Sequence, residues 1–233
     1  MGGGMSIEMW LAEDENAGVR SELQRKVFDE LRREGVLQTA DVYVDVQDRA
    51  VILSGAVKSY PEKLAAGRAA RRVRGVVEVR NDLAVVLPAA QQRSDEDLAY
   101  AAGCVLDSDV TIPGDKIAIG IVAGWVTLSG VVDRYAERLA AEDGVQRLAG
   151  VKGVTNLIKV ELKSAPSDAR ARLEESLARN PVLRRDHIEV EMHRGSATLR
   201  GRVRTLAERD EAVAAAAGAP GVVWVRDELK VAR

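Results

Sequence analysis

Apolar and polar residues alternate in three short stretches, Val42/Val44/Val46, Ile117/Ile119/Ile121 and Ile188/Val190/Met192. A period of two marks a strand with one face buried. Each stretch passes through a short turn, Gln47-Asp48-Arg49, Ala123-Gly124 or His193-Arg194-Gly195, into a second apolar segment that closes on glycine. Those segments read Val51-Ile-Leu-Ser-Gly55, Val126-Thr-Leu-Ser-Gly130 and Ala197-Thr-Leu-Arg-Gly201, so each pair predicts a β-hairpin. The period then lengthens. Leu64, Ala65, Ala69 and Val73, with Leu139, Ala140, Val145 and Leu148, set one narrow apolar stripe on helices predicted over Tyr60 to Arg74 and Tyr135 to Ala149, and Leu206 to Ala219 forms the third. Glu62, Glu137 and Glu208 fall near the starts of these helices, where an acid favours the positive end of the helix dipole. A glycine stops each helix, and a third strand is predicted over about Val76 to Val86, Val151 to Leu162 and Val222 to Val231. Upstream of each hairpin lies another amphipathic helix, with Leu23, Val27 and Leu31, then Leu98, Ala102 and Leu106, then Leu173 and Leu177. Asp95 to Asp97 and Ser167-Asp168 stand at the expected N-cap positions of the second and third of these.

The three stretches are copies of one unit. Gly55, Gly130 and Gly201 are each followed twenty residues later by Gly75, Gly150 and Gly221, and six residues beyond stand Asn81, Asn156 and Asp227. The copies are spaced by 75 and then 71 residues, too far apart for a solenoid repeat and suited to a small independent module. Each reads helix, strand, strand, helix, strand. Right-handed connection of the last strand makes it parallel to its neighbour, while the hairpin is antiparallel. The expected fold is therefore mixed α+β: three tandem αββαβ modules, each a mixed three-stranded sheet with two helices on one face. Boundaries fall at residues 14–87, 95–162 and 168–231, with linkers 88–94 and 163–167 and an N-terminal stretch 1–13 that reads as disordered or tag-derived. Met1 to Gly4 reads as a tag remnant ahead of Met5. Modules of about 70 residues have marginal cores, so packing between modules is expected to add stability.

The repeat resembles the BON domain (bacterial OsmY and nodulation domain), whose signature is a strand ending in V-T-L-x-G, an alanine-rich helix and a G-V-x-x-V-x-N-x-L phrase. Gly75-Val-Val-Glu-Val-Arg-Asn-Asp-Leu83 and Gly150-Val-Lys-Gly-Val-Thr-Asn-Leu-Ile158 carry the last phrase, and the third copy departs from the pattern at Asp227 and Ala197. The resemblance spans about residues 14 to 231 and is OsmY-like in its tandem repeat. It implies a bacterial, non-enzymatic module associated with osmotic or envelope stress. Phospholipid surfaces, other envelope components and client proteins are the implied partners, and potassium held by backbone carbonyls is the alternative. The family shares no catalytic motif, so no active site is carried over and no cofactor is implied.

Composition narrows the picture. With 34 Lys and Arg against 36 Asp and Glu, the chain lacks the basic surplus of a nucleic-acid binder. One Phe and three Trp leave Val, Ile, Leu and Ala to build the cores. A single cysteine, Cys104, excludes intrachain disulfides and is read as a small buried apolar residue. His187 and His193 bracket one strand of the third module on its outer side and read as surface residues, not metal ligands. No stretch reaches the roughly 18 apolar residues of a membrane span, and Met1 to Glu15 has no secretory pattern. The expected location is cytoplasmic, or periplasmic if an export signal precedes this sequence.

Charge is unevenly shared: 13 cations to 12 acids over residues 14–87, 7 to 11 over 93–162, and 13 to 11 over 168–233. Lys63, Arg68, Arg71, Arg72 and Arg74 concentrate on the second helix of module one, and Arg200, Arg202 and Arg204 alternate along a strand end. These are candidate contacts for anionic phospholipid or another polyanion, against the alternatives of a solvated face or one that pairs with the acidic middle module. Ile52 and Trp125 fall on the outer parity of their strands, where a lone module exposes them. They are candidate interface residues, for packing between modules, an external partner or self-association.

Overall fold

The computed structural model describes residues 17–35, 41–161, 168–180, 183, 188–193 and 195–232. The stretch 1–13, the linker 163–167 and His187 lie outside the described residues. Module one comprises α1 (Ala17–Arg33), β1 (Asp41–Gln47), β2 (Ala50–Val57), α2 (Tyr60–Arg72), β3 (Glu78–Asn81) and β4 (Ala84–Val85). Module two comprises α3 (Asp95–Ser108), β5 (Ile117–Val122), β6 (Trp125–Val132), α4 (Tyr135–Gln146) and β7 (Gly153–Val160). Module three comprises α5 (Ala169–Arg179), β8 (Ile188–His193), β9 (Ser196–Val203), α6 (Leu206–Gly218) and β10 (Trp224–Val231). Each module is the expected αββαβ unit, with the hairpin antiparallel and the last strand parallel to the second.

The hairpin loops are tighter than the sequence suggests. Gln47 and His193 belong to the strands, and positive φ at Asp48 and Arg49, or at Ala123 and Gly124, makes a two-residue turn whose twist matches that of the strands. The parallel partner lies 28 residues further along in every copy: Ala50 with Glu78, Trp125 with Gly153, Ser196 with Trp224. The third strand of module one breaks between Asn81 and Ala84, yet Ala56 still pairs Ala84, so the break costs no register.

Each module has its own core, built from the inner parity of the strands and one stripe of each helix. Val27, Leu31, Val51, Leu53, Ala66, Ala69 and Ala70 are fully buried in the first, and Leu98, Ala102, Leu106, Val126 and Leu128 are buried in the second. Leu173, Leu177, Ala197, Leu199, Ala212 and Ala216 do the same in the third. The glutamates near the helix starts do more than face a dipole. Glu62, Glu137 and Glu208 fold back to accept backbone N–H groups of Lys58, Asp133 with Arg134, and Arg204, while Ser59 and Thr205 accept from the N–H of Glu62 and Glu208. At α4 the glutamate takes the N-cap N–H itself, as in the reciprocal capping box; at α2 and α6 it takes the N–H one residue earlier. Two N-caps differ from expectation. Ser94, not Asp95, caps α3; Asp168 makes no capping bond and pairs with Arg172 instead.

The Asn/Asn/Asp position ties the last strand to the second helix. Asn81 Oδ1 accepts from Leu83 N–H while its Nδ2 donates to the Lys63 carbonyl 18 residues earlier, and Asn156 repeats this with Ile158 and Arg138. Asp227 keeps the acceptor role toward Leu229 N–H but has no N–H to give. The side chain of Arg209, again 18 residues earlier, supplies the missing donor at 2.5 Å. Asn156→Asp places a carboxylate against the Arg138 carbonyl and Glu142, and is expected to cost about 1–3 kcal/mol by urea denaturation. Asp227→Asn, which loses only a half-exposed ion pair, is expected to cost less than about 1 kcal/mol. Equal losses at the two sites would refute this account.

The modules interlock through their second helices. Tyr60, at the start of α2, packs on the core of module two and bonds the Val154 backbone; burial there raises its hydroxyl pKa above the ordinary value. Leu206, the equivalent residue of α6, is buried in the core of module one, and Arg71 meets Asp210 at 2.7 Å. Helices α4 and α6 also touch. The helices thus gather together, and each sheet turns its other face outward.

Candidate functional site

The outward sheet faces are the surfaces left for function, and they differ in chemistry. On module one the face carries Asp41, Asp45, Glu78 and Arg80 around the exposed Tyr43. On module three it is laced with charge: Arg200 sits between Glu191 and Glu228, at 2.8 Å from each, and these carboxylates raise the guanidinium pKa further. One row beyond, Arg202 lies directly opposite Lys230 in the parallel register. Both are exposed, and among the described residues neither makes an ion pair. Two like charges side by side repel each other unless an anion is near.

Module two is different again. Its strands contain no acid and one cation, Lys159, because its acidic residues lie on α3, on α4 and in loops. The outer rows run Val122–Trp125–Gly153, then Gly120–Thr127–Thr155, then Ala118–Ser129–Leu157, then Val131–Lys159. Trp125 is 53% exposed in the whole chain, so no other module covers it. Its ring lies over Gly153, where a Cβ would come within 2.3 Å of it. Ala50 stands at the corresponding place in module one; Ile52, one row further at the place of Thr127, is half-buried beside Asp45 and Arg80. Packing between modules uses the helical side, through Tyr60, Leu206 and the Arg71–Asp210 pair, rather than the Trp125 face.

The eight cations singled out from the sequence divide into two groups. Arg72 bonds Glu30 of α1 and Glu34 just past its end, Arg71 bonds Asp210 of module three, Arg200 is doubly paired, and Arg204 turns back to Glu208 beyond the end of β9. Arg204 therefore does not share the outer row with Arg200 and Arg202. Helix packing explains the α2 pairs: α1 lies against α2 and brings its glutamates to Arg72, and α6 lies against α2 and brings Asp210 to Arg71. Among the described residues, no acid of the middle module pairs with a cation of this helix. Lys63, Arg68, Arg74 and Arg202 remain without ion pairs among the described residues. Lys230, which sequence reasoning passed over, joins them; the 28-residue parallel register is the signal that would have placed it beside Arg202.

Cys104 is exposed on α3 rather than buried, because it falls between the buried positions Ala102 and Leu106. His193 is exposed on the outer face of module three. Among the described residues no group of three or more His, Cys, Asp or Glu is placed to hold a metal ion, and no helix is long and apolar enough to cross a membrane. Hollows of about 570 and 400 Å³ flank the 88–94 linker. Asp95, on the wall of the smaller one, already accepts the N–H groups of Ala123 and Gly124. The second carbonyl of each hairpin loop, on Arg49, Gly124 and Gly195, accepts from Val77, Lys152 and Val223. These carbonyls are thus engaged in joining the hairpin to the last strand.

Comparison with known proteins follows the same repeat. The family model described as BON domain matches residues 20–86, 94–161 and 167–233. Osmotically-inducible protein Y of Escherichia coli (strain K12) is 27% identical over 133 residues, covering 54% of this chain and 64% of that protein. The match thus spans just under two thirds of the relative's length. Among solved structures, the C-terminal domain of CdsD, a structural protein of the type III secretion system of Chlamydia trachomatis, is similar at 14% identity and a TM-score of 0.24, over 90% of this chain and 99% of that one. The PrgH periplasmic domain is similar at 11% identity and a TM-score of 0.21, over 85% and 99%. At such scores these two carry no argument about this chain.

Proposed function

The chain belongs to the BON-domain family, and from that premise we propose that it is a non-enzymatic binding protein of a bacterial osmotic or envelope stress response that docks on anionic phospholipid surfaces. The observation that carries the reading is the Arg202–Lys230 pair, two exposed cations held side by side with no carboxylate on either among the described residues, one row from an arginine that two carboxylates pair. A parallel register imposed by the fold fixes their spacing, so the repulsion between them is relieved by an anion from outside. Lys63, Arg68 and Arg74 extend the set of available cations on module one. Each cation close to an anionic leaflet contributes about 1 kcal/mol, and the effect fades within a Debye length of about 8 Å at physiological salt.

Sedimentation with phosphatidylglycerol vesicles tests this. The chain is expected to bind at low ionic strength and to be released as salt rises, with no binding to phosphatidylcholine. Reversing both charges in R202E/K230E is expected to weaken binding about thirtyfold or more, the loss of two such contacts. Absence of binding at low salt, or an unchanged double variant, would remove the lipid reading.

A further inference from the structure

The outer face of module two is set apart from its two repeats by chemistry alone, since all three are built on one register. Val122, Trp125, Val131 and Leu157 stand where module one has Gln47, Ala50, Ala56 and Asp82 and module three has His193, Ser196, Arg202 and Glu228, and they leave four large apolar side chains 41–74% exposed on one small sheet. Only the small neutral residues Gly120, Thr127 and Thr155 separate the two pairs, and a nearly uncharged face of this kind marks an interface. We propose that this face joins a second copy of the same chain, making a two-fold symmetric, sheet-on-sheet dimer.

Self-complementarity is the argument for that occupant. A dyad lying in the interface and perpendicular to the strands sets each strand antiparallel to its own copy, in the aligned mode of sheet packing. The first row then meets the fourth and the second meets the third. Along β7, Gly153 faces the second copy's Lys159, and the Trp125 ring that covers Gly153 receives that ammonium on its open side, a cation–π contact made twice. Thr155 meets the second copy's Leu157. On β5, Gly120 faces Ala118, two small residues that let the sheets approach closely. The other possible dyad, parallel to the strands, sets each row against its own copy, which brings Lys159 toward Lys116, already paired with Asp133, and leaves the Trp125 ring without its cation.

Size sets the strength. Strands about 4.8 Å apart with a rise of about 3.3 Å per residue give a face of roughly 14 by 26 Å. Two such faces with their side-chain relief bury roughly 1,000–1,200 Å², at or below the low end for specific interfaces, so a weak dimer is expected, and the test is set for a dissociation constant on the order of 10 μM. The contact is isologous, so it closes at two copies.

Sedimentation equilibrium of the full chain across a concentration series through that range is the experiment. A monomer–dimer equilibrium is expected, with Trp125 fluorescence changing along the same curve. Leu157→Lys and Thr155→Lys, both at exposed positions, are expected to weaken it at least about tenfold with unchanged melting, and Tyr43→Lys on the module-one face to leave it intact. A chain that stays monomeric to well above 100 μM, on the order of ten times that constant, overturns the proposal. So does a dimer that survives Leu157→Lys, or a monomer in which Leu157→Lys abolishes vesicle binding, which would assign the face to the membrane.

Discussion

Gly130→Ala is expected to unfold module two at temperatures where the native chain is intact, at a cost of about 3 kcal/mol or more, among the larger effects of single substitutions. Gly130 ends the apolar segment of β6 at φ +145°, and a Cβ there would stand 2.1 Å from the carbonyl oxygen of Lys116 and 3.3 Å from the Cα of Ile117. Both obstacles are backbone, so no rotamer change relieves them and the hairpin itself must open. Gly55 shows the same approach, with 2.0 Å to the Asp41 carbonyl oxygen. The repeat therefore keeps glycine at this place for contact across the hairpin as much as for conformation. Gly103→Ala is the control. That glycine lies inside α3 with nothing near its missing side chain, and alanine there is expected to stabilise by roughly 0.5–1 kcal/mol. Thermal melts followed by circular dichroism decide the matter; a Gly130→Ala chain that melts with the native one would refute the steric argument.

Much of this architecture could be read from periodicity, because local chemistry dictates it. The alternation in β5 and the Leu98/Ala102/Leu106 stripe depend only on which residues meet one core, and both pack on it as the spacing predicts, the stripe and Ile117 buried and Ile119 and Ile121 half-buried. The order of antiparallel and parallel strands followed from the handedness of one connection. Features that depend on contacts between distant residues were not legible in the same way. Arg71 looks like a free surface cation until Asp210, 139 residues away, is seen beside it. Arg72 resembles it until α1 brings Glu30 and Glu34 alongside. Trp125 was visible as an outer-parity residue, but whether another module covered it depended on how the modules pack, which no repeat pattern encodes. Lys230 was missed for want of the register between β9 and β10, although the constant offset of the three copies contains it. Asp227 looked like a departure from the motif, and it is one with a compensation: the donor moved from strand to helix.

Leu206→Asp is expected to turn one cooperative unfolding transition into two. Leu206 begins α6 in module three, yet it is buried, at 7% exposure, in the core of module one, and Val231 at the end of β10 packs against that same core. A carboxylate there faces apolar side chains with no partner to satisfy it, so it is expelled together with the start of α6 or protonated in place, at a cost of several kcal/mol. Because modules of about 70 residues are marginal alone, their shared surface decides whether they unfold together. Losing it is expected to release module three first, with modules one and two still joined through Tyr60 and its bond to Val154. The Arg71–Asp210 bridge does not have this power: both side chains are more than 40% exposed, and Arg71→Ala should cost no more than about 1 kcal/mol. Calorimetry of the three chains separates burial from charge. A Leu206→Asp chain that melts in a single transition near the native temperature would mean that the modules stand independently, and the gathering of α2, α4 and α6 would lose its energetic meaning.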